Sequence, residues 1–201
     1  MSQINVIKKA IPNSLTVFRC ASSIILPLII IFGGDIGAVL APPLLILAAL
    51  SDYFDGYFAR KYKVISNFGK ILDPIADKLL VIGILFALAS DHMLSYHLSF
   101  IPALIIILRE IFISGLRENM AQYKFSIIVS ILAKWKTTVQ LFACGSFLVW
   151  RSDPFFFQIQ IIGWISQILL WVAAIITIVT GIEYILKTAL FLKNKISKEK
   201  K

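Results

Sequence analysis

Six long apolar runs, near residues 14–33, 37–59, 72–90, 98–118, 126–149 and 158–190, leave this chain little choice of architecture. A helix needs about 20 mainly apolar residues to cross the hydrocarbon core of a bilayer. Inside that core every backbone N–H and C=O must be satisfied within the structure, and a helix does this locally. The expected fold is therefore an all-α integral membrane protein with six transmembrane helices. A chain of 201 residues, 59% hydrophobic and 15% charged, agrees with a single membrane domain spanning residues 1–201.

The N-terminus does not read as a cleavable signal, because Met1 to Lys9 is polar and the first apolar run is too long for an h-region. A short interfacial helix is expected over residues 1–12, where Ile4, Val6, Ile7 and Ile11 lie among polar residues. Pro12-Asn13-Ser14 then predicts a break, with a side-chain cap on the first span.

A net charge of +9 is distributed in a way that predicts orientation. Lys8, Lys9 and Arg19 lie at the start, and Arg60, Lys61, Lys63 and Lys70 lie between runs two and three. Arg117, Lys124, Lys134 and Lys136 surround the link between runs four and five, and Lys187 through Lys201 closes the chain. The alternate links hold one Lys or Arg between them, Arg151. By the positive-inside rule both termini face the cytoplasm. Cys20 and Cys144 lie inside apolar runs without metal-ligand spacing and read as small buried hydrophobes.

Against that background four carboxylates stand out between residues 51 and 80. Asp52 and Asp55 are three apart, and Asp73 and Asp77 are four apart, so each pair shares one face of its helix. Gly56 and Ala59 continue the first face with small residues, and Arg60 closes that helix with a planar fork suited to phosphate. Gly69 is expected to supply a tight turn. Asp73 followed by Pro74 reads equally well as an N-cap and first helical residue. That reading leaves Asp77 and the matching pair on the preceding helix unexplained. Two antiparallel helices joined by a short loop would bring the pairs face to face. Four like charges cannot all stay ionised without cations beside them, so either several are protonated or metal ions sit there. An oxygen-only ligand set without His or Cys suits Mg²⁺ or Mn²⁺ rather than zinc. Two such ions about 4 Å apart can clamp an in-line phosphoryl displacement. Asp77, farthest along its helix, has the plainest claim to general base.

A second set of charges lies further along. Arg109 and Arg117 are two helical turns apart and can share a face, with Lys134 and Lys136 near the inner end of the next run. They could bind a phosphate-bearing acceptor, or simply pair with Glu110 and Glu118 and snorkel. Arg19, inside the first run, could likewise snorkel toward head groups.

The spacing Asp52-x2-Asp55-Gly56-x2-Ala59-Arg60-x8-Gly69-x3-Asp73-x3-Asp77 matches at all eight fixed positions the signature of the CDP-alcohol phosphatidyltransferases, which the chain therefore resembles. The segments from Ile11-Pro12-Asn13-Ser14-Leu15-Thr16 to Arg19, from Arg109-Glu110 to Arg117, and from Lys134-Trp135-Lys136 to Gln140 are similar to the branch that makes phosphatidylglycerophosphate. The resemblance implies transfer of a phosphatidyl group from CDP-diacylglycerol to sn-glycerol 3-phosphate, with release of CMP. It implies two divalent ions, Mg²⁺ or Mn²⁺, on Asp52, Asp55, Asp73 and Asp77, with Asp77 deprotonating the acceptor. It places CDP-diacylglycerol on Asn13, Thr16, Asp52, Gly56, Ala59, Arg60 and Gly69, and the acceptor phosphate on Arg109, Arg117, Lys134 and Lys136. It further implies a homodimer in a bacterial inner membrane, its active site facing the cytoplasm, with no nucleic-acid partner. The same signature would serve a cardiolipin synthase or an enzyme using inositol phosphate or serine. A cation transporter is the rival from another class, since intramembrane carboxylates also mark ion pathways.

Overall fold

The computed structural model describes residues 3–62, 67–123, 131–152 and 159–199. Among the described residues six α-helices follow one another: α1 (Gln3–Phe32), α2 (Gly34–Tyr62), α3 (Asn67–Ser90), α4 (Phe100–Ala121), α5 (Ile131–Ser152) and α6 (Gln160–Glu199). A short 3₁₀ helix, Met93–Leu98, links α3 to α4. Each α-helix corresponds to one of the six apolar runs. Three segments, Asn13–Phe32, Gly34–Tyr57 and Gln160–Lys195, are long and apolar enough to cross a membrane by length and composition. The other three helices carry charges inside their length: Asp73, Asp77 and Lys78 on α3, Arg109, Glu110 and Arg117 on α4, and Lys134 and Lys136 on α5.

The distribution of side chains is inverted relative to a water-soluble bundle. Phe32, Ile36, Val39, Phe86, Phe142, Ile161 and Ile168 point outward, while Thr16, Arg19, Ser22, Asp55, Glu110, Lys136, Gln140 and Thr177 are buried. An apolar exterior this extensive would aggregate in water and is satisfied by lipid. A core of Leu26, Ile30, Leu80, Ile84, Leu88, Ile106, Phe147, Leu148 and Leu170 occupies the middle of the bundle.

Helix α1 packs along both α2 and α3, and α6 packs along both α4 and α5, with α2 against α5 joining the two groups. The α1–α2 turn is tight because Gly34 adopts φ 54°, a conformation that side-chain-bearing residues seldom take. Close approach of α1 and α3 depends on Gly83, where an added Cβ would lie 2.7 Å from Pro27 Cγ. Small residues at such crossings let helices in a membrane approach closely.

Two prolines do not act as the breaks expected of them. Helix α1 is continuous through Pro12, so residues 3–12 belong to the first helix and Asn13 and Ser14 lie within it rather than capping it. Helix α3 begins at Asn67, so Gly69 is helical and buried, and Asp73 and Pro74 sit inside the helix rather than at its start. In each case proline removes a single backbone hydrogen bond, which a long, well-packed helix tolerates. Moving Asp73 off the cap position also removes the alternative explanation for it. At the other end of the chain, α6 stays helical to Glu199, so the basic tail continues the last helix.

Candidate active site

Antiparallel neighbours bring Thr16 and Arg19 of α1, Asp52 and Asp55 of α2, and Asp73 and Asp77 of α3 to the same end of the bundle. The two carboxylate pairs do face each other. What joins them is Arg19, whose side chain is 1% exposed. Its Nη2 donates to Asp55 Oδ2 at 3.1 Å and to Asp73 Oδ1 at 2.8 Å. Its Nη1 donates to Asp52 Oδ1 and lies 3.3 Å from Asp77 Oδ1. Thr16 Oγ1 donates to the same Asp73 Oδ1 at 2.9 Å. The guanidinium therefore occupies the centre of the cluster rather than snorkelling to a surface.

The helix face that carries this arrangement is visible along α1: Thr16, Arg19, Ser23, Leu26 and Ile30 recur at three- and four-residue steps and are all buried. Asp55 is deeply buried, whereas the Asp52 side chain is 53% exposed and opens the cluster to the outside. A cavity of about 360 Å³ adjoins it, lined by Arg19, Ala48, Ala49, Asp52, Asp77, Thr137 and Thr138 among others.

The second set of charges forms its own centre around Glu110. Lys136 Nζ donates to Glu110 Oε1, Gln140 Nε2 donates to the same oxygen at 3.3 Å, and Arg109 Nη1 does so at 3.3 Å. Helix α6 completes the network, with Arg109 Nη2 donating to Thr180 Oγ1 at 3.0 Å and Gln140 Nε2 to Thr177 Oγ1 at 2.9 Å. Gly181 makes room for this, because an added Cβ there would lie 3.1 Å from Arg109 Nε. Arg117 lies with its guanidinium carbon 5.6 Å from the centre of the Tyr184 ring, within cation–π range.

Arg109, Glu110, Arg117, Lys136 and Gln140 line a cavity of about 180 Å³ together with Asp77, Lys78, Ser114 and Thr137. Its charged lining, Lys78, Arg109, Arg117 and Lys136 against Asp77 and Glu110, has a formal excess of two positive charges. A phosphate monoester carries about −1.5 to −2 at neutral pH, so the cavity complements one such group. Asp77 and Thr137 line both cavities. Asp77 thus stands where the carboxylate cluster and the cationic cavity meet.

Most of the residues singled out in the sequence come together here. Asp52, Asp55, Asp73 and Asp77 form one cluster, and Arg109, Arg117 and Lys136 line one cavity. Asn13, Gly56 and Gly69 lie on α1, α2 and α3. The side chains of Ala59, Arg60 and Lys134 lie outside the described residues, although their helices run through these positions. Three participants go beyond the sequence reading. Arg19, for which spacing offers snorkelling as one outcome, joins the carboxylates. Lys78 lines the cationic cavity. Glu110, expected as a partner of Arg109, also receives Lys136 and Gln140. The signal for Lys78 was present: Pro74, Asp77, Lys78 and Val81 follow the helical period and line one wall of the cationic cavity.

The donor set itself can be weighed for metal binding. Four carboxylates converge on one cation, and they supply only hard oxygen ligands of the kind Mg²⁺ and Mn²⁺ prefer. With the guanidinium between them, no three His, Cys, Asp or Glu side chains among the described residues come together closely enough to hold an ion directly. The donor atoms are of the type divalent ions take, and Arg19 contacts all four carboxylates.

An all-helical chain with an apolar exterior, a charged interior and two polar cavities sharing one aspartate defines a membrane protein built around an ionic site. The chain belongs to the CDP-alcohol phosphatidyltransferase family, whose model matches residues 9–179. It is similar to a protein of Rickettsia bellii, 39% identical over 178 residues that cover 89% of this chain and 94% of that one. A Haemophilus influenzae protein is 39% identical over 180 residues, covering 87% of this chain and 91% of its own. A Cereibacter sphaeroides protein is 33% identical over 222 residues, covering 92% and 98%. Each is named CDP-diacylglycerol–glycerol-3-phosphate 3-phosphatidyltransferase.

Proposed function

We propose that this chain transfers the phosphatidyl group of CDP-diacylglycerol to sn-glycerol 3-phosphate, giving phosphatidylglycerophosphate and CMP. The observation that carries the reading is the position of Asp77, in the wall of both the carboxylate-lined and the cation-lined cavity. A base that serves a bimolecular transfer has to stand between the two substrates' sites.

The nucleotide-lipid occupies the cavity beside Asp52, Arg19 and Thr137, with Asn13, Thr16, Gly56, Ala59, Arg60 and Gly69 contributing to its binding. The acceptor's phosphate sits on Arg109, Arg117, Lys136 and Lys78, with Lys134 nearby in sequence. Fixing that phosphate directs the acceptor's free hydroxyl toward Asp77. Asp77 takes the hydroxyl proton, and the oxygen attacks the phosphorus that carries diacylglycerol. The new P–O bond forms as the bond to the CMP oxygen breaks, and CMP leaves with the electron pair. Two divalent ions, Mg²⁺ or Mn²⁺, held by Asp52, Asp55, Asp73 and Asp77, would supply charge neutralisation at the diphosphate and leaving group.

In this reading all six helices cross a bacterial inner membrane. Each has at least 22 residues, and at 1.5 Å per residue that length exceeds the ~30 Å hydrocarbon core. Both termini and both cavities face the cytoplasm, residues 1–201 form one domain, and the protein works as a homodimer.

The test uses purified protein in detergent with CDP-diacylglycerol and Mg²⁺ or Mn²⁺. CMP release is followed as glycerol 3-phosphate, inositol phosphate, serine or phosphatidylglycerol is added singly. Metal-dependent release with glycerol 3-phosphate alone is the expected result. Release with another acceptor would overturn the substrate, and no release with any would overturn the reaction.

A further inference from the structure

Arg19 is a buried cation that the proposed chemistry leaves without a task. Its guanidinium is shared among four carboxylates. Two features show that the arrangement is not a closed structural ion pair. Four carboxylates share one cation, so with two or more of them ionised the cluster is under-neutralised. Arg19 Nε is also buried without a hydrogen-bond partner, although a guanidinium has five N–H donors and an unsatisfied buried donor is costly. A network built only for stability would satisfy its members.

The carboxylate oxygens that Arg19 holds are those a hard cation would require, and the same lone pairs cannot serve both. Arg19 also has somewhere to go. It already lines the cavity of about 360 Å³, where Ala48 and Ala49 leave the wall shallow and Thr137 and Thr138 supply polar groups. A planar guanidinium matches phosphate oxygens in a bidentate fashion, which a lysine cannot reproduce.

We propose that Arg19 is an exchangeable counter-cation: it neutralises the carboxylate cluster until divalent ions take it over, and the released guanidinium then binds phosphate oxygens of the nucleotide-lipid in the adjoining cavity. This rests on the reading under Proposed function for the identity of the nucleotide-lipid, but the competition between Arg19 and metal does not. In the metal-free chain Arg19 keeps like charges from repelling one another. In the loaded chain it adds a donor-binding contact from α1, outside the eight signature positions.

The test compares the unsubstituted protein with Arg19→Gln and Arg19→Lys, each purified in detergent and stripped with EDTA. Mn²⁺ binding is measured by the electron paramagnetic resonance signal of free Mn²⁺, without turnover. Removing the competitor should tighten Mn²⁺ binding by tenfold or more in Arg19→Gln. Its thermal unfolding midpoint should fall in EDTA and recover on adding Mn²⁺. At saturating Mn²⁺, the KM for CDP-diacylglycerol should rise by tenfold or more while that for glycerol 3-phosphate stays within twofold. Arg19→Lys keeps the charge but loses the fork, so it should fold in EDTA and still show the raised donor KM. Where the glutamine variant does not fold, Arg19→Lys decides both points. Its ammonium cannot bridge the four carboxylates as the fork does, so Mn²⁺ should bind more tightly than to the unsubstituted protein, and unchanged Mn²⁺ binding would overturn the competition. Unchanged or weakened Mn²⁺ binding in Arg19→Gln would overturn the competition, and an unchanged donor KM in either variant would overturn the phosphate contact. If the unsubstituted protein released no CMP with any acceptor, the reaction would be wrong, while the Mn²⁺ measurement would still decide what Arg19 does.

Discussion

The two ends of the polar interior are near mirror images in charge. Around Arg19, one cation is surrounded by four carboxylates, contributed by helices α2 and α3. Around Glu110, one carboxylate is surrounded by Lys136, Arg109 and Gln140, with Lys78 and Arg117 lining the same cavity. Both centres place a single ion of the minority sign among several of the majority. Arg19 touches all four carboxylates and Glu110 pairs with Lys136 and Arg109, and in each centre an excess of charge is left for something to complete. The excess is negative at the first and positive at the second. The first is therefore suited to metal ions and the second to a phosphate, and Asp77 belongs to the lining of both cavities.

That contrast can be broken at the shared residue, where the largest effect is expected. Asp77→Asn, nearly isosteric, should reduce CMP release by about 10²–10⁴-fold, the usual contribution of a general base. Removing divalent ions with EDTA should abolish release altogether and restore it on adding Mn²⁺. Near-normal turnover of Asp77→Asn in protein of unchanged elution volume would detach the base from this position.

A smaller effect should follow from disturbing the second centre without touching an ion. In Gly181→Leu the new side chain meets Arg109, whose Nε is 3.1 Å from the added Cβ position. The KM for glycerol 3-phosphate should rise several-fold, with that for CDP-diacylglycerol unchanged. An equal rise in both, read from initial rates, would mean that α6 supports the two cavities together.

The smallest effect on catalysis is expected at the opposite end of the bundle. There Arg151 pairs with Asp91 and donates through Nη2 to the Ile30 carbonyl at 2.9 Å, tying α5 to the ends of α3 and α1. Arg151→Ala should lower stability by roughly 1–3 kcal/mol, as expected for leaving a buried acceptor unpaired. Per folded molecule, turnover should be unchanged. Thermal unfolding in detergent checks the first expectation, and activity normalised to folded protein checks the second.

Much of this architecture was legible in the sequence because two periodicities expose it. Apolar run length places the six helices, and three- and four-residue spacing pairs Asp52 with Asp55 and Asp73 with Asp77. The same spacing argument puts Arg109 and Arg117 on one wall, as the cationic cavity bears out. The misses have physical reasons. Pro12 and Pro74 were given the local behaviour of proline, but tertiary packing carries a long helix across one lost hydrogen bond. For Arg19 the sequence leaves snorkelling open, because its partners lie 33 to 58 positions away in the chain. Sequence spacing gives no direct measure of such contacts between helices. Glu110 was weighed as the partner of one arginine, yet it also receives Lys136 and Gln140 from α5. Gly181 acquires its meaning only from the arginine that passes over it.

The most direct test of the division of labour measures both Michaelis constants in one preparation of Lys136→Met. Lys136 belongs to the centre around Glu110 and is absent from the lining of the cavity beside Arg19. If the cationic centre reads the acceptor's phosphate and the carboxylate cluster handles the nucleotide-lipid, the KM for glycerol 3-phosphate should rise by tenfold or more. The KM for CDP-diacylglycerol should stay within twofold. A rise in both by the same factor, or a rise in the donor's alone, would contradict the assignment of the two centres to two substrates.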